Sequence, residues 1–416
     1  QMYDQNTSPW ALLEGAIAVY TVTSQMGMEA IFAGHRPQVF GQPFYAGWGL
    51  SDDRAAAPAR RARNVTKTQL FAAAYLLAPQ WFSPHIGALC SFEQAVDVLQ
   101  ADLRAQREDA AGYAALGMRV WKRGRLQAVF GRQKPLIFIN NRTRAQGLRL
   151  MVWGAGTDAA AAIPDTNVVH VEDGLLRSRG LGAALTPPIS LIADDVGIYY
   201  NPAQPSGFEA LMMQPLPPYA RARAAVFLDG LISARLSKYN LPSESQLTLP
   251  PSAQNRRRIL VPGQVADDAS LRFGAQGGFG ADTGADTGAY LGQNGAVPSN
   301  LDLLRAARAR HPDAFIIYKP HPDVEAGLRA GAVPAQMVAA LADMQAVGAD
   351  PIAAIEAVDE VFTLTSTLGF EALLRGRAVT CLGAPFYAGW GLTRDVGPIP
   401  QRRLRGPDGG LLPRPT

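Results

Sequence analysis

The chain has 416 residues, 48% hydrophobic and 18% charged, a globular balance that excludes a disordered polymer and gives room for two or three domains. A net charge of +4 is too modest to mark a nucleic-acid binder, and no run approaches ~18 uninterrupted apolar residues, which excludes a spanning helix of that kind. The two cysteines, Cys90 and Cys381, offer neither C-x-x-C spacing nor a disulfide framework, so a reducing compartment is expected.

The opening QMYDQNTSPW carries neither an initiator Met nor a signal peptide, which predicts a piece of something longer. The octapeptide PFYAGWGL follows at Pro43–Leu50 and recurs letter for letter at Pro385–Leu392, 342 residues later. The match extends backwards. Ala16–Asp53 lies over Ala357–Asp395, sharing a β-rich run, a Thr-Ser pair, Gly, Glu-Ala, a basic link and a second apolar run. A repeat of this reach predicts two copies of one module, with residues 1–105 the C-terminal remnant of the upstream copy and its helical tail. Within that tail TKTQLFAAAYLLAP and SFEQAVDVLQADLRAQRED have helical apolar spacing, and Ser91 with Glu93–Gln94 supplies a start signal.

Residues 106–133 read as a linker. From 134 the pattern alternates short strands with helical stretches. PLIFIN, RLMVWG, NVVHVE and ISLIAD fall in a lobe at 134–255, and RRILVPGQ, AFIIYKPH, EVFTLTS and AVTCLG in a lobe at 256–416. Several are continuous apolar runs of the buried parallel type, spaced for crossover helices. The expected fold class is therefore α/β, with two Rossmann-like lobes around a cleft. That is the GT-B architecture of many glycosyltransferases, although other two-lobed α/β enzymes share the alternation. The Gly-rich stretch 273–299, with its tandem GADTGADT, cannot bury enough apolar surface to order itself and is expected to be a mobile loop, an insertion before a flap. The basic runs at 59–63, 256–258 and 402–405 read as solvated faces before they read as phosphate, glycan or membrane contacts.

Four constellations sit at predicted strand ends, where open α/β sheets bind ligands. In HVEDGLLRSRGLG, Glu172 and Asp173 are either a general base and its neighbour or caps for the next turn, while Arg177 suits a phosphate or a sugar carboxylate. In VPGQVADDAS, Gln264, Asp267 and Asp268 could make a nucleophilic carboxylate or a metal site, the latter weakened by missing ligand spacing. Helix capping is the plainer role, and it suits Asp267 even with Asp268 catalytic. In YKPHPD, Lys319 and His321 share a side and together offer donors to phosphate. In TLTSTLGFEALLRG, Ser366 and Thr367 stand at a helix start and Glu371 one turn later, suited to phosphate and ribose unless Ser366 merely caps.

These runs, with PPISLIADDVGIYY, SKYN and GFEALL, make the chain similar to the KpsC family of capsule polysaccharide β-Kdo transferases. The correspondence runs in order through nearly the whole chain except the Gly-rich stretch. The family carries two tandem GT-B modules, and the register implies the end of the first module followed by the second. The resemblance implies retaining transfer of Kdo from CMP-β-Kdo to a lipid-linked Kdo acceptor, the second module making the β-2,7 linkage. It puts the nucleophile at Asp268, the acid/base at Glu172, leaving open an assisting His170, and the HP histidine at His321. Gln264, Lys319, Ser366, Thr367 and Glu371 then serve the CMP donor, with Asp173 and Arg177 at the substrate. No metal and no cofactor beyond the donor substrate are expected. The implied location is cytoplasmic, peripheral to the anionic inner-membrane surface, beside other capsule assembly proteins and away from nucleic acid. Two rivals stand beside it: a transferase for another CMP-activated sugar acid, which if inverting needs no nucleophile, and an idle glycolipid-binding scaffold.

Overall fold

The computed structural model describes residues 7–61, 63–141, 144–145, 147–156, 168–216, 218–241, 247–275 and 297–404. Two compact units divide the chain, Gln1–Glu108 and Asp109–Thr416. The expected Gly-rich loop at 273–299 falls almost wholly on residues 276–296, outside the described ones.

In the first unit, β1 (Tyr20–Thr21), β2 (Gln38–Val39) and β3 (Asp52–Asp53) pair in parallel in chain order. The helix Met26–Phe32 packs Met28 and Ile31 with Val39 and Tyr45 into a small core. Both predicted tail helices form. Thr66 and Gln69 close a capping box on Lys67–Phe71, which runs on into a π-helical turn at Ala72–Leu77. After the hairpin of β4 (Trp81–Ser83) and β5 (Ala88–Cys90), Ser91 and Gln94 exchange side-chain and backbone bonds at the start of Phe92–Asp109.

The second unit holds two sheets. The first comprises β6 (Tyr113–Leu116), β7 (Ile137–Ile139), β8 (Arg149–Trp153), β9 (Val168–Asp173) and β10 (Leu191–Asp194), in the order β10-β9-β8-β6-β7. The second comprises β11 (Arg258–Pro262), β12 (Phe315–Lys319), β13 (Met344–Gln345), β14 (Glu360–Thr363), β15 (Ala378–Cys381) and β16 (Arg394–Asp395), in the order β13-β12-β11-β14-β15-β16. Read by rank, these are the flavodoxin-like 2-1-3-4-5 and the Rossmann 3-2-1-4-5-6 orders. All strands of the second sheet are parallel and buried on both faces at β11, β12 and β14, which is why their sequences are unbroken apolar runs.

Three expectations need correcting here. The stretch 106–133 is not a linker: Tyr113–Leu116 is an inner strand and Val120–Phe130 a helix of the first lobe. YAAL lacks the β-branched residues of a strand, yet Ala114 and Ala115 are fully buried, so tertiary packing overrides local propensity. Second, β10 pairs antiparallel with β9. Third, the boundary at 255/256 cuts through a shared core. Ile198, Tyr199, Tyr200 and Ala253 pack with second-sheet residues, and the Tyr199 and Phe208 rings each lie 5.3 Å from that of Phe386.

The octapeptides make the same bonds in both units. Tyr45 and Tyr387 donate to the carbonyls of Ser24 (2.5 Å) and Ser366 (2.6 Å). Trp48 and Trp390 donate back to Phe44 and Phe386, and Gly47 and Gly389 donate to Asp53 and Asp395. Arg61 and Arg403 reach the carbonyls of Pro43 and Pro385. Gly47, Gly49, Gly389 and Gly391 all have φ between 77° and 91°, so the repeated glycines serve one turn. The strands β1, β2 and β3 thus correspond to β14, β15 and β16.

The basic runs are less free than their solvated reading predicts. Arg256 binds Asp343 and two carbonyls, Arg257 meets Glu360 at 2.7 Å, and Arg258 pairs with Asp359. Arg402 and Arg403 both grip the buried Glu209. Among the described residues no helix is long and apolar enough to cross a membrane.

Candidate active site

The Rossmann order opens a switch point between β11 and β14, and the chain ends of both carry predicted residues. Gln264, past β11, donates through Nε2 to Thr365 Oγ1 and accepts from Thr365 N through Oε1, both at 3.0 Å. Asn300 holds its backbone N–H and carbonyl at 2.8 and 2.7 Å. The Gln264 side chain therefore staples the two strand ends together and is already committed within the protein.

Asp268 caps the helix Ala269–Gly274, its Oδ1 accepting from Ser270 N at 2.9 Å. The capping expected of Asp267 thus falls on Asp268, while Asp267 pairs with Arg329. The order follows from geometry, since the residue directly before the first helical turn is the one whose oxygen reaches its amides. Asp268 Oδ2 has no hydrogen bond among the described residues.

Lys319 ends β12, and its buried ammonium makes no hydrogen bond or ion pair among the described residues; desolvation lowers its pKa. His321 caps Pro322–Glu325 by accepting at Nδ1 from Asp323 N, 3.1 Å away. Burial, helped by the Lys238 and Lys319 cations, pushes the imidazole down to about 4 against the pull of Asp268. The ring is neutral at physiological pH and, with Nδ1 accepting, carries its proton on Nε2. Ser366 caps Thr367–Leu374 through Leu368 N, so its plain capping role holds, and its position at the helix start leaves Thr367 beside it on the cleft.

The first lobe faces this site with the end of β9. Burial pushes Glu172 up to about 7; Asp173 adds to the rise, while the Asp173 N–H on Oε1 (3.0 Å) and the Lys122 and Lys238 cations oppose it. Asp173 takes Arg177 Nε at 2.6 Å. Arg177 is itself 1% exposed, with Nη1 spent on Ser178 and Thr186, and only Nη2 lacks a partner among the described residues. It orders the Glu172–Asp173 turn more than it reaches outward. His170 turns its Nδ1 to the Gly154 carbonyl at 2.8 Å and does not line the cleft.

Glu371 ties the two lobes' loops. Its Oε1 accepts from Lys238 N at 2.7 Å, and burial raises its pKa to about 7 against that N–H, Arg375 and the Lys238 charge. The ribose role expected of it is left to Oε2 alone.

All ten predicted residues (Glu172, Asp173, Arg177, Gln264, Asp268, Lys319, His321, Ser366, Thr367 and Glu371) line one cleft of about 950 Å³. Sequence reasoning missed several cations there, Lys122 and Lys238 among them. Lys122, on the helix misread as linker, stands 3.0 Å from the centroid of the Trp153 ring, and burial brings it down to about 8 despite Glu172 and Asp173. Lys238 lies among Tyr239, Tyr199, Asp268 and Glu172; burial opposes its charge, but these neighbours hold its pKa above the ordinary lysine value. The SKYN run was the available signal for Lys238. The arrangement offers a carboxylate with one open oxygen, a second carboxyl titrating near neutrality, and several cations and N–H donors between them. That set suits group transfer from an anionic donor.

The model of the family described as "Capsule polysaccharide biosynthesis protein" matches residues 1–80, 154–237 and 216–410. The capsule polysaccharide modification protein LipA of Neisseria meningitidis serogroup B is 38% identical over 96% of this chain and 56% of its own length. The lipopolysaccharide-processing protein LpsZ of Rhizobium meliloti is 41% identical over 56% of this chain and 49% of its own. The chain thus spans about half the length of the curated relatives it matches. Among solved structures, the β-Kdo 2,7 transferase of Thermosulfurimonas dismutans KpsC is similar with TM-score 0.52 and 31% identity, over 70% of this chain and 85% of that one. The β-Kdo 2,4 transferase of the same KpsC gives TM-score 0.56 and 28% identity, over 71% and 87%.

Proposed function

This chain belongs to the capsule polysaccharide biosynthesis protein family, and from that premise we propose that its second unit is a retaining β-Kdo transferase using CMP-β-Kdo. The observation that carries the reading is the pair of carboxyls lining one cleft: Asp268 with an open Oδ2, and Glu172 held near pKa 7. Retention requires two displacements. In this reading Asp268 attacks the anomeric carbon, and the bond to the CMP phosphate oxygen breaks with its electron pair leaving on CMP. Lys319, the His321 Nε2–H, and the Ser366–Thr367 helix start counter the departing negative charge, so the proposal invokes no metal. Glu172 then takes the proton of the acceptor hydroxyl as it attacks the glycosyl–Asp268 ester. Gln264 and Glu371 act by holding loops in place, and Asp173 and Arg177 by orienting Glu172.

The finer parts of the proposal are a lipid-linked Kdo acceptor at an anionic inner-membrane surface and a β-2,7 linkage. The two KpsC modules do not separate the linkage, since one leads in identity and the other in TM-score. The test is incubation with CMP-Kdo and a synthetic acceptor ending in β-Kdo, followed by intact-mass analysis. Wild type is expected to form product, Glu172→Gln to accumulate a Kdo adduct, and Asp268→Ala to show neither. Equal turnover by wild type and Asp268→Ala overturns the nucleophile.

A further inference from the structure

Beside the main cleft lies a second hollow of about 380 Å³, walled by the helix Val120–Phe130 and by the chain at Leu185–Leu191. Trp121, Lys122, Trp153, Asp173 and Leu185 border both spaces, so the hollow adjoins the cleft on the side where Glu172 stands. Its size falls within the roughly 300–1,000 Å³ of ligand pockets. Leu126, Pro187, Pro188 and Leu191 make it largely apolar, and Trp121, 40% exposed, stands at its edge.

Its charge is one-sided. Two cations, Lys122 and Arg125, line it against one acid, Asp173, which is already tied to Arg177. Arg125, which lines the hollow, has a buried Nε without a hydrogen-bond partner among the described residues. That Nε is closed to solvent and so to a ligand; an anion in the hollow meets the outer Nη groups of Arg125, which make no hydrogen bond among the described residues. The Lys122 ammonium, seated on the Trp153 ring, stands at the border of the two spaces.

We propose that this hollow is a subsite for one anionic sugar, the unit of the acceptor preceding the one that is glycosylated. The inference rests on the transferase reading above. The sugar's C–H face covers Trp121 and the leucine–proline wall, and its carboxylate meets Arg125 and Lys122. An acyl chain in the same place would leave those cations desolvated and unpaired.

Two variants test it. A Cβ built at Gly124 meets nothing within 4 Å, so Gly124→Leu fits the helix and narrows the hollow. Arg125→Gln removes the cation. The probes are the methyl glycoside of Kdo, the methyl glycoside of a Kdo disaccharide, and the octyl glycoside of Kdo. Wild type is expected to show an acceptor KM at least about tenfold lower for the disaccharide than for the methyl monosaccharide. Both variants should erase that advantage, with kcat and the monosaccharide KM unchanged in Gly124→Leu. Calorimetric binding of the disaccharide without donor should weaken in parallel. Disaccharide KM unchanged in both variants overturns the subsite, as does failure of wild type to bind the disaccharide. A gain for the octyl glycoside that Gly124→Leu removes and Arg125→Gln does not reassigns the hollow to an apolar tail. Disaccharide binding that both variants abolish, with no transfer by wild type from CMP-Kdo, refutes the transferase reading and leaves the subsite standing.

Discussion

Tyr387→Phe removes one hydroxyl from the repeated octapeptide, and the duplicated copy supplies an internal control. The Tyr387 hydroxyl is buried and donates at 2.6 Å to the carbonyl of Ser366, the residue that caps Thr367–Leu374. The space around it is closed: a Cβ added to Gly369 would lie 2.3 Å from this oxygen. Little room exists for another group to replace the bond. Leaving a buried carbonyl unpaired costs about 1–3 kcal/mol, and the partial burial of this one suggests about 1–2 kcal/mol. For a unit as long as Asp109–Thr416, at about 2.1 cal/mol/K per residue, each kcal/mol shifts the midpoint by about 1.5 °C, so Tm should fall by about 1.5–3 °C. Because Ser366 and Thr367 line the cleft, donor KM should rise by about 3–10-fold. The turnover number should change by less than about twofold, since neither Asp268 nor Glu172 is bonded to this turn. Tyr45→Phe breaks the equivalent bond to Ser24 at 2.5 Å and should destabilise the first unit by a similar amount without moving donor KM. Hydrogen exchange around residues 24–28 and 366–370 separates the two effects, and titration with CMP-Kdo reads the second. A Tyr387→Phe protein with unchanged midpoint and unchanged donor KM refutes the argument, as does a Tyr45→Phe protein whose donor KM rises equally.

Glu172 must be ionised to accept a proton, so turnover should climb with pH through about 7, and Lys122→Met should move that limb upward because the lost cation favoured the carboxylate. A limb that stays in place in a pH series of kcat contradicts the role given to Lys122. Glu371 has a folded pKa near 7, above the 4.5 of an ordinary glutamate, so the folded state holds its proton more tightly. That contribution to stability is fully present below pH 4.5 and is lost as pH rises through 7, and Glu371→Gln should flatten the difference in urea midpoint between pH 5 and pH 8. Glu209→Ala strands the fully buried Arg403 and should cost about 3–5 kcal/mol, with Arg403→Met in the same chain recovering part of it. A loss under about 1 kcal/mol in chemical denaturation would show that Arg403 finds another partner.

The division between sequence and structure can be read from particular residues. Seven of the eight strands read from the apolar runs form as parallel strands, because a strand buried on both faces needs apolar residues at every position and so announces itself locally. ISLIAD forms too, but strand direction depends on the neighbour it meets, and β10 runs antiparallel. That these ten residues line one cleft was legible because strand ends in such sheets converge at the switch points, which makes position along the chain a guide to position in space. Lys122 was not, since its helix follows a strand of alanines whose burial no local pattern reports. Nor did the residue types of Gln264 and Arg177 disclose that their polar groups are already bonded to Thr365 and to Asp173.

The sequence by itself determined that one segment ending in the octapeptide occurs twice and which residues gather at the strand ends, and the two octapeptides make the same local bonds. Only the tertiary structure decided which carboxyls lie desolvated, which cations face them and which polar groups are spent on the fold. Those properties depend on groups brought together from positions 122, 172, 238, 268 and 371, and burial and charge act through space without regard to separation along the chain.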